Sequence, residues 1–160
     1  MTTDPQDAPS LPEGWHLIPP ETLGTPGIAF AAAHETPDAG FTANVTVGVQ
    51  RSADLDAGLV LALGTEAVRA IEATEQEVAV RRREQRGDAA VTQEVHFTTT
   101  IDGAAVPMTQ VQEFVAVPGA DGGPATVWTL SATTTRAQAD ALADGLSTLL
   151  GSLRAEIAGS

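Results

Sequence analysis

The chain has 160 residues, enough for one domain with a real core and short for two. Its net charge of −13, with eight arginines and no lysine, argues against nucleic-acid binding, which rests on accumulated positive charge. Without a cysteine there can be no disulfide, thiolate nucleophile, iron–sulfur ligation or lipid-carrying thiol, so a hydrophobic fraction of 42% must hold the fold by packing.

No window approaches the roughly 18 apolar residues a membrane-spanning helix needs. The first residues lack the basic cluster and apolar run of a signal peptide, so a cytoplasmic location is the expectation from the sequence as it stands. Residues 1–13, with Pro5, Pro9 and Pro12 among small polar residues, read as a mobile tail, and 14–160 as a single domain.

Trp15 to Ile18 predicts a short strand stopped by Pro19 and Pro20, and Ile28 to His34 a second one. From Phe41 to Val49 the odd positions Phe41, Ala43, Val45, Val47 and Val49 are apolar, while the even ones are polar or small. That period of two marks a half-buried strand. Asp54 is a candidate N-cap, with Asp56 in the first turn, for a helix reaching about Ala73. Its apolar stripe is Leu59, Val60, Leu63, Ala67, Val68 and Ile71, weakened by Gly58 and Gly64 at about 1 kcal/mol each.

Alternation returns in Val78 to Arg86, which a Gly87-Asp88 turn ends, and again in Val91, Val95, Phe97 and Ile101. Asp102-Gly103 is a two-residue hairpin signal. Val106 to Val117 is apolar on both faces, Met108 and Phe114 against Val111, Val115 and Val117, which suits a central strand covered on both sides. After a loop at Gly119 to Gly123, Ala125 to Thr133 is the last strand, with Trp128, Leu130 and Ala132 on one face. Thr135 and Gln138 have capping-box spacing ahead of a helix striped by Leu142, Leu146, Leu149, Leu150, Leu153 and Ile157. The predicted fold is α+β: a largely antiparallel sheet of six or seven strands with two packing helices, in the order βββαββββα, the C-terminal helix sealing the apolar side.

Gly-Phe-Thr-Ala-Asn-Val-Thr-Val at 40–47 and Leu-Ser-Ala-Thr-Thr-Thr-Arg-Ala-Gln-Ala-Asp-Ala-Leu at 130–142, in this order of elements, resemble the LpqN/LpqT family of actinobacterial proteins, of the PsbP-like and DcrB-like fold. The resemblance spans nearly everything after residue 13, and its motifs are structural. It implies a non-enzymatic binding, scaffolding or chaperone module. Relatives are often exported lipoproteins, whose lipidated cysteine this sequence lacks.

No catalytic, cofactor or metal constellation stands out. His16, His34 and His96 belong to three strands, whereas a metal site needs such side chains to converge at about 2 Å from one ion. There is no Gly-x-Ser-x-Gly elbow and no glycine-rich phosphate loop. Arg86-Gly87-Asp88 matches a cell-adhesion tripeptide that a hairpin turn explains equally well.

Arg81, Arg82, Arg83 and Arg86 hold half of the positive charge of an acidic chain. They either pair with acids on neighbouring strands or form a docking patch for an acidic partner. Thr92, Thr98, Thr100, Thr46 and Asn44 are expected to share a weakly polar sheet face. Phe30, Phe97, Met108, Phe114 and Trp128 either fill the core or line an apolar cleft between sheet and helix. The function expected is a non-enzymatic protein-binding module, an adaptor or chaperone for a secreted or envelope-associated partner, with no cofactor and no nucleic acid. The alternative is a carrier of a small apolar ligand or lipid.

Overall fold

The computed structural model describes residues 11–53, 58–74, 77–86 and 89–158. Seven strands form one antiparallel sheet: β1 Trp15–Leu17, β2 Ile28–His34, β3 Asn44–Ser52, β4 Glu77–Arg86, β5 Ala90–Ile101, β6 Ala104–Val117 and β7 Ala125–Thr135. Helix α1, Leu59–Thr74, lies between β3 and β4, and α2, Arg136–Ala158, closes the chain. Short 3-10 turns occur at Pro20–Leu23 and Ala120–Gly122. The order βββαββββα and the α+β class agree with the sequence pattern. Asp54, Asp56, the Gly87-Asp88 turn and most of the N-terminal tail lie outside the described residues.

In space the strands run β1-β2-β3-β7-β6-β5-β4, so the meander β4 to β7 joins the first three strands through the pairing of β3 with β7. The β5–β6 turn has Asp102 at φ 51° and Gly103 at φ 82°, the doubly left-handed geometry of a two-residue hairpin. Side chains directly opposite one another share a face. One row across the sheet is therefore Thr92, Glu113, Leu130 and Val47, and the next row, on the other face, is Gln93, Gln112, Ser131 and Thr46.

The two helices pack on opposite faces. Helix α2 lays Leu142, Leu149, Leu150, Leu153 and Ile157 against Val45, Val47, Leu130 and Ala132, with Trp15 at the margin. Helix α1 lies over β4, β5 and β6 on the reverse face. There Val60 joins Val91, Phe114, Ala116 and Val127, and Val68 joins Val95, Phe97, Val106 and Met108. Both helices expected to pack on the sheet do so, one on each face, and the C-terminal helix covers one of the two. β6 is apolar on both faces, as its sequence indicates, and each face takes its own helix. One correction concerns Phe41, which precedes β3 and packs beside Val68 and Phe97, on the face opposite Val45 and Val47.

Helix α2 begins as the capping-box spacing predicts. The Gln138 backbone N–H donates to Thr135 Oγ1 at 3.2 Å, and the Thr135 hydroxyl donates to Asp38. The reciprocal half of the box is absent, because the Gln138 side-chain amide donates instead to the Thr36 carbonyl at 3.0 Å.

Candidate functional site

Beneath α1 a row of side-chain amides separates the two apolar clusters. Along β5 the sequence Val91, Gln93, Val95 keeps one face, and along β6 Phe114, Gln112, Gln110 and Met108 do the same. The middle residues are polar yet buried, Gln93 at 2% and Gln112 at 5% exposure. Buried amides must find partners, and these find each other. Gln93 Nε2 donates to Gln112 Oε1 and to the Gly64 carbonyl, Gln112 Nε2 donates to Gln110 Oε1, and Gln110 Nε2 donates to Thr133 Oγ1. Gly64 is what admits Gln93 to the helix backbone, since a Cβ there would stand 2.8 Å from Gln93 Oε1.

The row ends on a cation. Arg83 Nε donates to Gln93 Oε1 at 3.0 Å, and Arg83 Nη1 donates to Thr65 Oγ1 at 3.3 Å. Both bonds fix the plane of a long side chain that would otherwise be mobile, while Nη2 makes no bond among the described residues. Here lies a groove of about 420 Å³ between α1 and β4, lined by Thr65, Val68, Arg69, Glu72, Arg82, Arg83, Gln93 and Val95. Arg83 carries its charge into the groove, whereas Arg69 is paired with Glu66 at 3.0 Å and Arg82, opposite Glu94, belongs to the other face of β4.

Of the four arginines singled out in the sequence, Arg82 and Arg83 line this groove. Arg86 approaches Glu84 at 4.0 Å on its own strand, both exposed. Arg81 is paired by its backbone with Val95, and its side chain lies outside what the structure describes. Among the described residues, Arg82, Arg83 and Arg86 pair with no acid on a neighbouring strand. Arg83 turns instead to neutral partners.

The five residues of the supposed apolar cleft do not line one cavity. Phe30 and Trp128 pack on the α2 face, whereas Phe97, Met108 and Phe114 are buried on the α1 face. The sheet itself stands between them. Nor do the polar residues expected to share a surface do so: Thr92 and Thr98 belong to the α2 face, Asn44 and Thr46 to the α1 face. A different hollow, open and mostly apolar, of about 480 Å³, lies at the start of α2 between Ala39, Ala105, Val106, Pro107 and Ala137.

The histidines stay apart. His34 meets the edge of Trp15 with ring centroids 5.4 Å apart, His96 Nε2 lies 3.7 Å from Glu94, and His16 is exposed on β1. Among the described residues no group of three histidine or carboxylate side chains gathers as a metal site, and no helix is long and apolar enough to cross a membrane.

One buried charge went unnoticed in the sequence. Glu113, at 4% exposure, sits on the α2 face of β6 and accepts a two-pronged hydrogen bond from Arg154, Nε at 2.6 Å and Nη2 to the other oxygen. This hydrogen bond raises the Arg154 pKa, partial burial lowers it, and the charge of Glu113 raises it further, for a net rise. The signal was available in the alternation. Glu113 interrupts the series Val111, Val115, Val117, just as Gln93 and Gln112 interrupt theirs, and a polar residue in an apolar phase is a buried polar residue.

No protein-family model matches the sequence, and no curated protein matches it. Among solved structures, LpqN of Mycobacterium tuberculosis, described as involved in cell envelope biogenesis, aligns at 16% identity over 89% of this chain and 78% of its own, with a TM-score of 0.62. A STAR-related lipid transfer protein from Xanthomonas axonopodis aligns at 13% identity over 90% of this chain and 98% of its own, with a TM-score of 0.28, too low to support an argument. The chain therefore has an LpqN-like fold.

Proposed function

We propose that this chain is a non-enzymatic protein-binding module, an adaptor or chaperone for a secreted or envelope-associated partner, which it recognises by an acidic surface. The supporting observation is the outer strand β4, where Arg82 and Arg83 stand next to each other on opposite faces, Arg83 at the groove under α1, in an otherwise acidic molecule. Arg83 is already held in one orientation by Gln93 and Thr65, so docking an anion on it costs less side-chain entropy than docking on a free arginine. The association with an envelope partner follows the description of the LpqN structure, whose fold this chain shares.

The test is fluorescence anisotropy with labelled polyglutamate, against the wild type and an Arg82→Glu/Arg83→Glu variant. Binding should weaken as salt rises and fall about tenfold or more on charge reversal. Absence of binding, or equal binding by both proteins, would overturn the reading.

A second reading, a carrier of a small apolar ligand, is supported by the open hollow at the start of α2, whose volume of about 480 Å³ lies within the usual range for ligand sites. Native mass spectrometry of the gently purified protein distinguishes it. A retained apolar molecule, lost on Ala105→Trp, supports the carrier, and a bare protein mass counts against it.

A further inference from the structure

The acidic partner proposed above leaves open how it is held, and the position of the arginines in the sheet bears on that. β4 is an outer strand, paired with β5 on one side, and among the described residues nothing pairs with its other side. It is ten residues long, against three for the outer strand β1 at the opposite end. An unpaired edge of that length exposes a row of backbone donors and acceptors and is a template for another strand. Charge selects which strand. β4 holds four arginines and two glutamates, net +2, in a chain of net −13.

A second copy of this chain is disfavoured as the occupant. Laid antiparallel along β4 in full overlap, it would set arginine opposite arginine at the centre of the pairing, and like charges directly opposite are destabilising. An extended segment with carboxylates at adjacent positions meets the reverse situation. Successive side chains of an added strand point to opposite faces, and β4 offers a cation on each: Arg83 shares the α1 face with Gln93, and Arg82 shares the α2 face with Glu94. The register shift between Val78 and Val80 irregularises the start of the edge, leaving Arg82 to Arg86 as its regular part.

We propose that the partner of this module is an extended acidic segment that adds to the free edge of β4 as an eighth strand, with backbone hydrogen bonds holding the strand and Arg82 and Arg83 selecting its carboxylates. The inference rests on the reading of an acidic protein partner.

The experiment uses a labelled peptide with adjacent pairs of glutamates separated by threonines, matched to the ten residues of β4, and two versions of it N-methylated at either the odd or the even backbone positions. In an added strand, alternate N–H groups point to the neighbour and the others to solvent. One methylated peptide should therefore lose about tenfold or more in affinity while the other binds within a few-fold of the parent. In hydrogen exchange, the amides of 82–86 should gain protection with the parent peptide. If both methylated peptides bind like the parent, or both fail, strand addition is overturned, although an acidic partner still stands. If the unmethylated peptide and polyglutamate both fail to bind, the acidic-partner reading itself is overturned.

Discussion

Replacing Gly64 by alanine sets two effects of known sign against each other. In a helix interior the exchange stabilises by about 1 kcal/mol through propensity alone. At Gly64 the new Cβ would lie 2.8 Å from Gln93 Oε1 and 3.4 Å from Gln93 Cδ. The Gln93 amide cannot swing away freely. Its Nε2 is committed to Gln112 and to the Gly64 carbonyl, and its Oε1 receives Arg83. Displacing it breaks two or three hydrogen bonds in a buried row, at about 1 kcal/mol each when the partners are resolvated and more when they are not. The expected net effect is a loss of about 2 kcal/mol, or about 4–8 °C in Tm for a chain of this size. Gly151→Ala is the control, because nothing stands within 4 Å of a Cβ there, and it should stabilise by up to about 1 kcal/mol. Urea unfolding of both variants measures the difference. If Gly64→Ala stabilises as Gly151→Ala does, the amide row is not a constraint on the approach of α1, and the argument from close contact fails.

Two further outcomes concern α2. Thr135→Ala removes the acceptor for the Gln138 N–H and the donor to Asp38, and should lower stability by about 1–2 kcal/mol, with most of it restored in Thr135→Ser. Equal stability of the alanine and serine variants would show that the hydroxyl is not used. Arg154→Ala strands the buried Glu113 carboxylate and should cost about 2 kcal/mol, below the usual cost of breaking a buried pair because the guanidinium is partly exposed and screened. A Glu113→Leu/Arg154→Leu double variant should recover most of that loss, and failure to do so would mean the cost lies in packing. The Arg154 pKa is raised in the folded state, so its contribution is fully present below the ordinary arginine range and is lost only as pH climbs through the raised value. Denaturant titrations at neutral and mildly alkaline pH should therefore show the same cost for Arg154→Ala.

The alternation in the sequence was enough for the strands because each has a distinct apolar phase: Val45 and Val47 in β3, Val91, Val95 and Phe97 in β5, Leu130 and Ala132 in β7. The two-sided character of β6 likewise announced an interior strand. Alternation states that residues share a face of one strand, but does not state which faces of different strands coincide. That is settled by register, and register paired Thr46 with Ser131 and Thr92 with Glu113, placing the two threonines on opposite sides of the sheet. The supposed cleft failed for the same reason, since Phe30 and Phe97 are each in phase within their own strand and yet lie on different faces.

The candidate site was legible in part. The arginine run is visible as a cluster of charge, and the structure holds Arg83 against Thr65 and Gln93 at the groove under α1, partners eighteen and ten positions away in sequence. The amide row that orients Arg83 was readable in principle, from glutamines standing where the neighbouring phase is valine. It was missed because each strand considered singly makes such a residue look like an exception, and only the lateral neighbours reveal Gln93 and Gln112 as a bonded pair.

The pairing of β3 with β7 has a consequence for synthesis. Ser52 lies opposite Ala125 and Asn44 opposite Thr133, so the longest hydrogen-bonded border of the first three strands is completed by the last strand to leave the ribosome. Until then β3 carries an open edge, and the leucines that will cover it have not been translated. Closure across so wide a gap in sequence is slow, which makes the unfinished amino-terminal hairpin the stage at which a nascent copy is most exposed to mispairing.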